Sequence, residues 1–168
     1  MTGLKNHIAR FYVGWKTYRN FRKLSKTPMH FPVSAKEVKN VLILLPTDDE
    51  YMDAALTLMR HLRQHFTKWH FMAMDVRKIP RDQQDRYDLP SDQFIEDLKK
   101  NEFQLAIDLN FHHDIRMKLI IGMLNIQYRL HLQFIDSNDY NMFAQINPDE
   151  FKGFHHVFNY LKSSFAVN

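Results

Sequence analysis

Between Val41 and Phe134 short unbroken apolar runs alternate with segments whose apolar residues recur every three or four positions, and few folds accept that alternation. Residues 41–45 form a continuous apolar run closed by Pro46, the pattern of a strand buried on both faces. Met52, Ala55, Met59, Leu62 and Phe66 then share one face of a helix. Thr47 or Asp48 is expected to cap that helix, and Asp49 and Glu50 suit its positive first turn. A second strand is expected over residues 69–76, followed by a charged surface excursion over 77–91 with Pro80 and Pro90. A short helix over 91–100, a strand over 103–109, a helix over 113–124 and a strand over 127–134 continue the alternation. Asn147-Pro148-Asp149-Glu150 reads as a helix start, and Phe151, Phe154, Phe158, Leu161 and Phe165 as the inner face of a closing helix. Strands and helices in turn predict an α/β domain with a mainly parallel sheet of about four or five strands, joined by right-handed crossovers.

The front of the chain has a different character. Residues 1–40 hold nine Lys or Arg against one acid, Glu37, a charge of +8, whereas the remainder carries −4. Leu4, Ile8, Phe11, Trp15 and Tyr18 fall within about 40° of one line on a helix turning 100° per residue. Lys16, Arg19 and Lys23 flank that line and Arg22 lies on it. Pro28 and Pro32 mark a linker, so residues 1–30 are expected to be a separable basic amphipathic helix with its linker, and residues 31–168 a single domain. Two kinds of anionic partner suit the helix. Lys16, Arg19, Arg22 and Lys23 would attract an anionic membrane surface while Trp15 enters the headgroup region, or they would neutralise phosphates of a nucleic acid with aromatic rings stacked on bases. A third reading packs the stripe on the body or on a protein partner.

Composition excludes several chemistries. The absence of cysteine removes disulfides, thiol catalysis and thiolate-held metals. The four glycines, Gly3, Gly14, Gly122 and Gly153, leave no Gly-rich phosphate loop. No apolar run approaches the ~18 residues of a membrane span. In a parallel sheet, ligands sit beyond the carboxyl ends of the strands, which singles out residues 47–50 and 110–113. Asp49, Glu50 and His113 are the catalytic candidates there, because carboxylate with imidazole suits acid–base work, and Thr47, Asp48, Asp108, Asn110 and His112 would line the crevice. The plainer alternative has the acids answering a helix dipole and the histidines in solvent. His61 and His65 stand four apart but lack an evident third ligand, so neither a metal nor a cofactor is expected.

Lys39-Asn40-Val41-Leu42-Ile43-Leu44-Leu45, Leu56-Thr57-Leu58-Met59-Arg60-His61-Leu62-Arg63 and Phe103-Gln104-Leu105-Ala106-Ile107-Asp108-Leu109 resemble the amino-terminal half of heptosyltransferase-like glycosyltransferases of family 9. Asn125-Ile126-Gln127-Tyr128-Arg129 matches the same order, and the likeness covers roughly residues 39–135. The chain is similar in layout, too, to small single-domain bacterial proteins of no assigned function that share this half-fold. The resemblance implies a three-layer Rossmann-like domain, a cytoplasmic place peripheral to the inner membrane, and a link to cell-envelope glycan synthesis. It departs at the catalytic position, where the family's Gly-Asp aligns with Glu50-Tyr51. The family's nucleotide-sugar half has no counterpart in these 168 residues. The chain is therefore expected to be a non-catalytic, surface-binding domain, with a glycosyltransferase-related enzyme and an RNA- or ribosome-associated protein as the alternatives.

Overall fold

The computed structural model describes residues 3–24, 31–135, 138–148 and 153–166. In chain order the elements are α1 (Gly3–Leu24), β1 (Val33–Ser34), β2 (Asn40–Leu44), α2 (Met52–His65), β3 (His70–Met74), α3 (Asp92–Lys99), β4 (Leu105–Asp108), α4 (Ile115–Leu124), β5 (Tyr128–His131), β6 (Met142–Phe143), α5 (His155–Ser164) and β7 (Phe165–Ala166). Five strands form one parallel sheet in the order β3-β2-β4-β5-β6, and β1 pairs with β7 in a separate parallel patch. Counted within the sheet the order is 2-1-3-4-5. The direction of winding reverses between β2 and β4, the switch point where a parallel sheet opens a crevice at its carboxyl edge.

The alternation of side chains along the strands makes the three layers. Val41, Ile43, Leu105, Ile107 and Leu130 face α2 and α5, while Leu42, Leu44 and Ala106 face α3 and α4. The result is the expected α/β, Rossmann-like architecture. The shortest elements differ from the sequence reading: β1 and β7 are not foreseen, and Phe165, expected on the inner face of the closing helix, instead opens β7 and pairs with Val33. β6 is not foreseen by periodicity, because a strand of two residues has too few positions to show alternation. The closing helix takes regular form only from His155; Asp149, Glu150 and Phe151 of the expected start lie outside the described residues.

The larger correction concerns α1. It is not set apart from the body but packs along the outside of α4, so the division at residue 30 does not follow the packing. Ala9 and Val13 are fully buried, with Thr17 and Phe21 continuing the same face. Asn20 Nδ2 donates to the Gly122 carbonyl at 2.9 Å. The expected stripe points the other way: Leu4 is 74% exposed, Phe11 79%, Trp15 71% and Tyr18 60%. On a helix at 100° per residue, the buried line lies about 180° from the aromatic one, so α1 is apolar on two opposite faces.

A glycine on α4 sets how closely the two helices meet. A Cβ on Gly122 would stand 2.5 Å from Thr17 Cγ2 and 2.8 Å from Phe21 Cζ, so the helices meet closely enough to exclude one methyl group. Helix propensity alone favours Ala over Gly by about 1 kcal/mol, whereas overpacking a tight contact costs about 1–3 kcal/mol. Gly122→Ala is therefore expected to lower stability in urea unfolding, against the sign that propensity predicts.

Candidate functional site

At the switch point, one side chain joins the ends of the two central strands. Asn110 Oδ1 accepts from the Thr47 backbone N–H at 2.7 Å, while its Nδ2 donates to the Leu45 carbonyl at 3.0 Å and to Asp108 Oδ1 at 2.8 Å. Asn110 is thus a fastener, with its polar atoms already used. Asp108 closes β4 from the face covered by α4 and is 2% exposed. Its other oxygen accepts from the Tyr140 hydroxyl. Burial raises the Asp108 pKa above the usual carboxylate range, against the opposing pull of His131, Tyr140 and Asn110. Burial likewise raises the Tyr140 hydroxyl well above its ordinary value. His131, the register partner of Asp108 on β5, packs its ring 4.7 Å from Tyr140 and is itself 1% exposed. These groups are enclosed, so they order the sheet edge instead of meeting a substrate.

The candidates in solvent are dispersed. Asp49 and Glu50 are exposed in a short 3-10 turn before α2. Asp48 makes no side-chain capping bond, contrary to the expected cap, and Thr47 contributes only backbone groups to the edge. Asp49 is held by Arg77 Nη1 at 2.8 Å. His113 instead faces Asp139, with Nε2 3.6 Å from its carboxylate, while Lys118 reaches the same carboxylate at 2.9 Å. Burial lowers the His113 pKa below that of a free imidazole, opposed by Asp139. His112 is exposed beside it. The structure therefore does not gather Asp49, Glu50 and His113 into one acid–base site. Among the described residues no three His, Asp or Glu side chains stand close enough to hold a metal ion.

The sequence reading missed a pattern that occurs twice at this edge. In Asp75-Val76-Arg77 and in Asp114-Ile115-Arg116 the carboxylate accepts from the backbone N–H of the arginine two residues on, and from its Nε and Nη2. Each Asp thereby starts a helical turn and fixes a guanidinium. Arg77 spans from Asp75 to Asp49 and to the Thr47 carbonyl, and Arg116 reaches the Val76 carbonyl at 3.4 Å. An Asp followed two positions later by Arg, directly after a strand or before a helix, was the available signal.

Of the predicted partner-binding cations, Lys16 is turned inward, where it pairs with Asp92 and its amine lies 3.0 Å from the Tyr12 hydroxyl. Lys5 pairs with Asp88 at 2.7 Å. Lys16 is thus corrected from partner contact to internal tie. Arg19, Arg22 and Lys23 remain exposed at the end of α1, together with Trp15.

The pH dependence of the edge has a defined sign. The Asp75 carboxyl is held below its ordinary value of 3.8, first by its hydrogen bonds from Arg77. The charged form is favoured by folding, so its contribution is present above that value and is lost as the pH falls through the lowered one. Asp75→Asn is expected to lose about 1–2 kcal/mol at neutral pH and to differ less from the parent in acid, as read by urea unfolding at both pH values.

Compared with models of known protein families, with curated proteins and with solved structures, the chain has no match.

Proposed function

We propose that this protein is a non-catalytic domain, heptosyltransferase-like in architecture, that binds an anionic membrane surface through α1. One observation carries the reading: five large apolar side chains of the helix stand outside. Leu4, Ile8, Phe11, Trp15 and Tyr18 occupy the side of α1 opposite its buried face, in a line about 20 Å long at 1.5 Å per residue. An apolar line of that length, left uncovered by the fold, suits an interface. Arg19, Arg22 and Lys23 continue it with positive charge. Each such cation near an anionic bilayer contributes about 1 kcal/mol of attraction, and Trp and Tyr favour the headgroup level.

Lipid is preferred to nucleic acid because Leu4 and Ile8 belong to the same line and have no ring to stack on a base. A second copy of the helix is disfavoured by like charge. The enzyme reading lacks support from the geometry, since Asp49 and Glu50 have no contact with His113.

No helix among the described residues is long and apolar enough to cross a membrane, so the contact would be peripheral. Flotation with vesicles containing phosphatidylglycerol is expected to recover the protein at low salt, and neutral phosphatidylcholine vesicles to recover less. Phe11→Ser with Trp15→Ser, and separately Arg19→Gln with Arg22→Gln and Lys23→Gln, should each lower recovery at least severalfold, the second loss shrinking as salt rises. Filter binding of RNA that is unaffected by the Phe11 and Trp15 changes, with no flotation, would move the reading to nucleic acid. Failure of both would withdraw it.

A further inference from the structure

A cavity of about 650 Å³ opens where α1, the segment around Tyr87 and the first turn of α4 meet. It lies beside the aromatic stripe but is distinct from it: none of Phe11, Trp15 and Tyr18 is in its wall. Its volume falls in the range of sites for small organic ligands. Arg10, Arg116, Lys118 and His113 face it from two helices and the loop between β4 and α4, against the carboxylates of Asp88 and Asp114.

The charges in this wall are not equivalent. Asp114 is engaged by Arg116, Asp88 by Lys5, and Lys118 by Asp139. Arg10 makes no hydrogen bond or ion pair among the described residues, although it stands at the mouth of a cavity whose other cations are paired. A guanidinium with unused donors, lining the same cavity as two further cations, suits an oxyanion in chemistry and charge. The remaining wall is Asn6 with Tyr87, Ile115 and the buried Leu89, and its apolar part accepts the organic body of a ligand. The N-terminus of α4 is not the attraction, because Asp114 already accepts from the Arg116 backbone N–H.

We infer that this cavity binds a phosphate-bearing organic molecule, its phosphate on Arg10 in a wall that also holds Arg116 and Lys118, and its body against Tyr87 and Ile115. A phosphate of this kind comes either from a soluble phosphomonoester or from a lipid headgroup, which the membrane-facing side of α1 would bring close. The soluble arm does not depend on the membrane reading.

The test is calorimetric titration of the whole protein with glycerol 3-phosphate and adenosine monophosphate, and flotation with vesicles containing phosphatidic acid. Binding of at least one soluble probe is expected at about 1 mM or below. Arg10→Gln, at an exposed position without partners, should weaken it about tenfold, as for loss of a charged hydrogen bond. Asp88→Asn should tighten it, because it removes a carboxylate from the wall and releases Lys5. Asn suits that position, since Asp88 has a φ of 60° and Asn tolerates the left-handed region. Phe11→Ser with Trp15→Ser should leave the soluble probes unaffected, which separates failure of this site from failure of the membrane contact. If only phosphatidic acid vesicles respond, and Arg10→Gln abolishes their advantage over phosphatidylglycerol, the ligand is a headgroup. Absence of binding by every probe, or binding indifferent to both Arg10→Gln and Asp88→Asn, overturns the assignment.

Discussion

The close approach of α1 to α4 at Gly122 is the contact on which the functional reading rests. Ala9, Val13 and Thr17 are small enough to sit against α4, and Gly122 supplies the space for Thr17 and Phe21. Leu4, Phe11, Trp15 and Tyr18 lie on the opposite side. The two apolar faces differ: one fixes the helix to the domain, and the other is the exposed surface proposed to meet the membrane. Lys5 and Lys16 reinforce the arrangement by reaching back to Asp88 and Asp92. The helix is oriented by its inner face and by ion pairs on its flank.

A second constraint lies directly beneath Phe21. Arg129 is 1% exposed, within the sheet face covered by α4, and its register partner on β4 is the small Ala106. Its guanidinium donates to the carbonyls of Asp139, Ile126, Gln127 and Asn138. Burial draws its pKa down to about 10, opposed by Asp139 and Tyr140, so it remains charged at neutral pH. A buried cation needs its donors filled, and the segments on both sides of β5 are shaped to fill them. The Phe21 ring, 5.9 Å away, closes the site from α1. One buried side chain thereby ties the fourth sheet strand, the turn toward β6 and the front helix into a single unit.

The sheet was legible because its central strands are buried on both faces. Continuous runs such as residues 41–45 and 105–108 need no tertiary context to be read as interior strands, and the expected helix over 91–100 begins where Ser91 accepts from the Phe94 backbone N–H at 3.2 Å. The crevice was half legible. Strand ends identified the right neighbourhood, and Asn110 does join them, but the bonds that occupy Asn110 and Asp108 come from Leu45, Thr47 and Tyr140, up to 65 residues away in sequence. Periodicity carries no information on such partners. α1 failed in a more instructive way. Hydrophobic ranking selects the stripe of largest residues as the inner face, whereas the face that packs is Ala9, Val13, Thr17 and Phe21, fitted to the space that Gly122 leaves on the facing helix.

The two tryptophans of the chain allow the orientation of α1 and its proposed partner to be measured together. Trp69 is 5% exposed and stacked on Phe66 at 3.9 Å, whereas Trp15 is 71% exposed. In a Trp69→Phe variant that retains cooperative unfolding, all indole fluorescence comes from Trp15. The account predicts water-like emission that acrylamide quenches freely in buffer, then a blue shift and loss of quenching when phosphatidylglycerol vesicles are added at low salt. Emission that is already blue-shifted and protected in buffer would show the aromatic face packed inside the protein. Emission that stays red and quenchable with vesicles present would contradict the membrane contact.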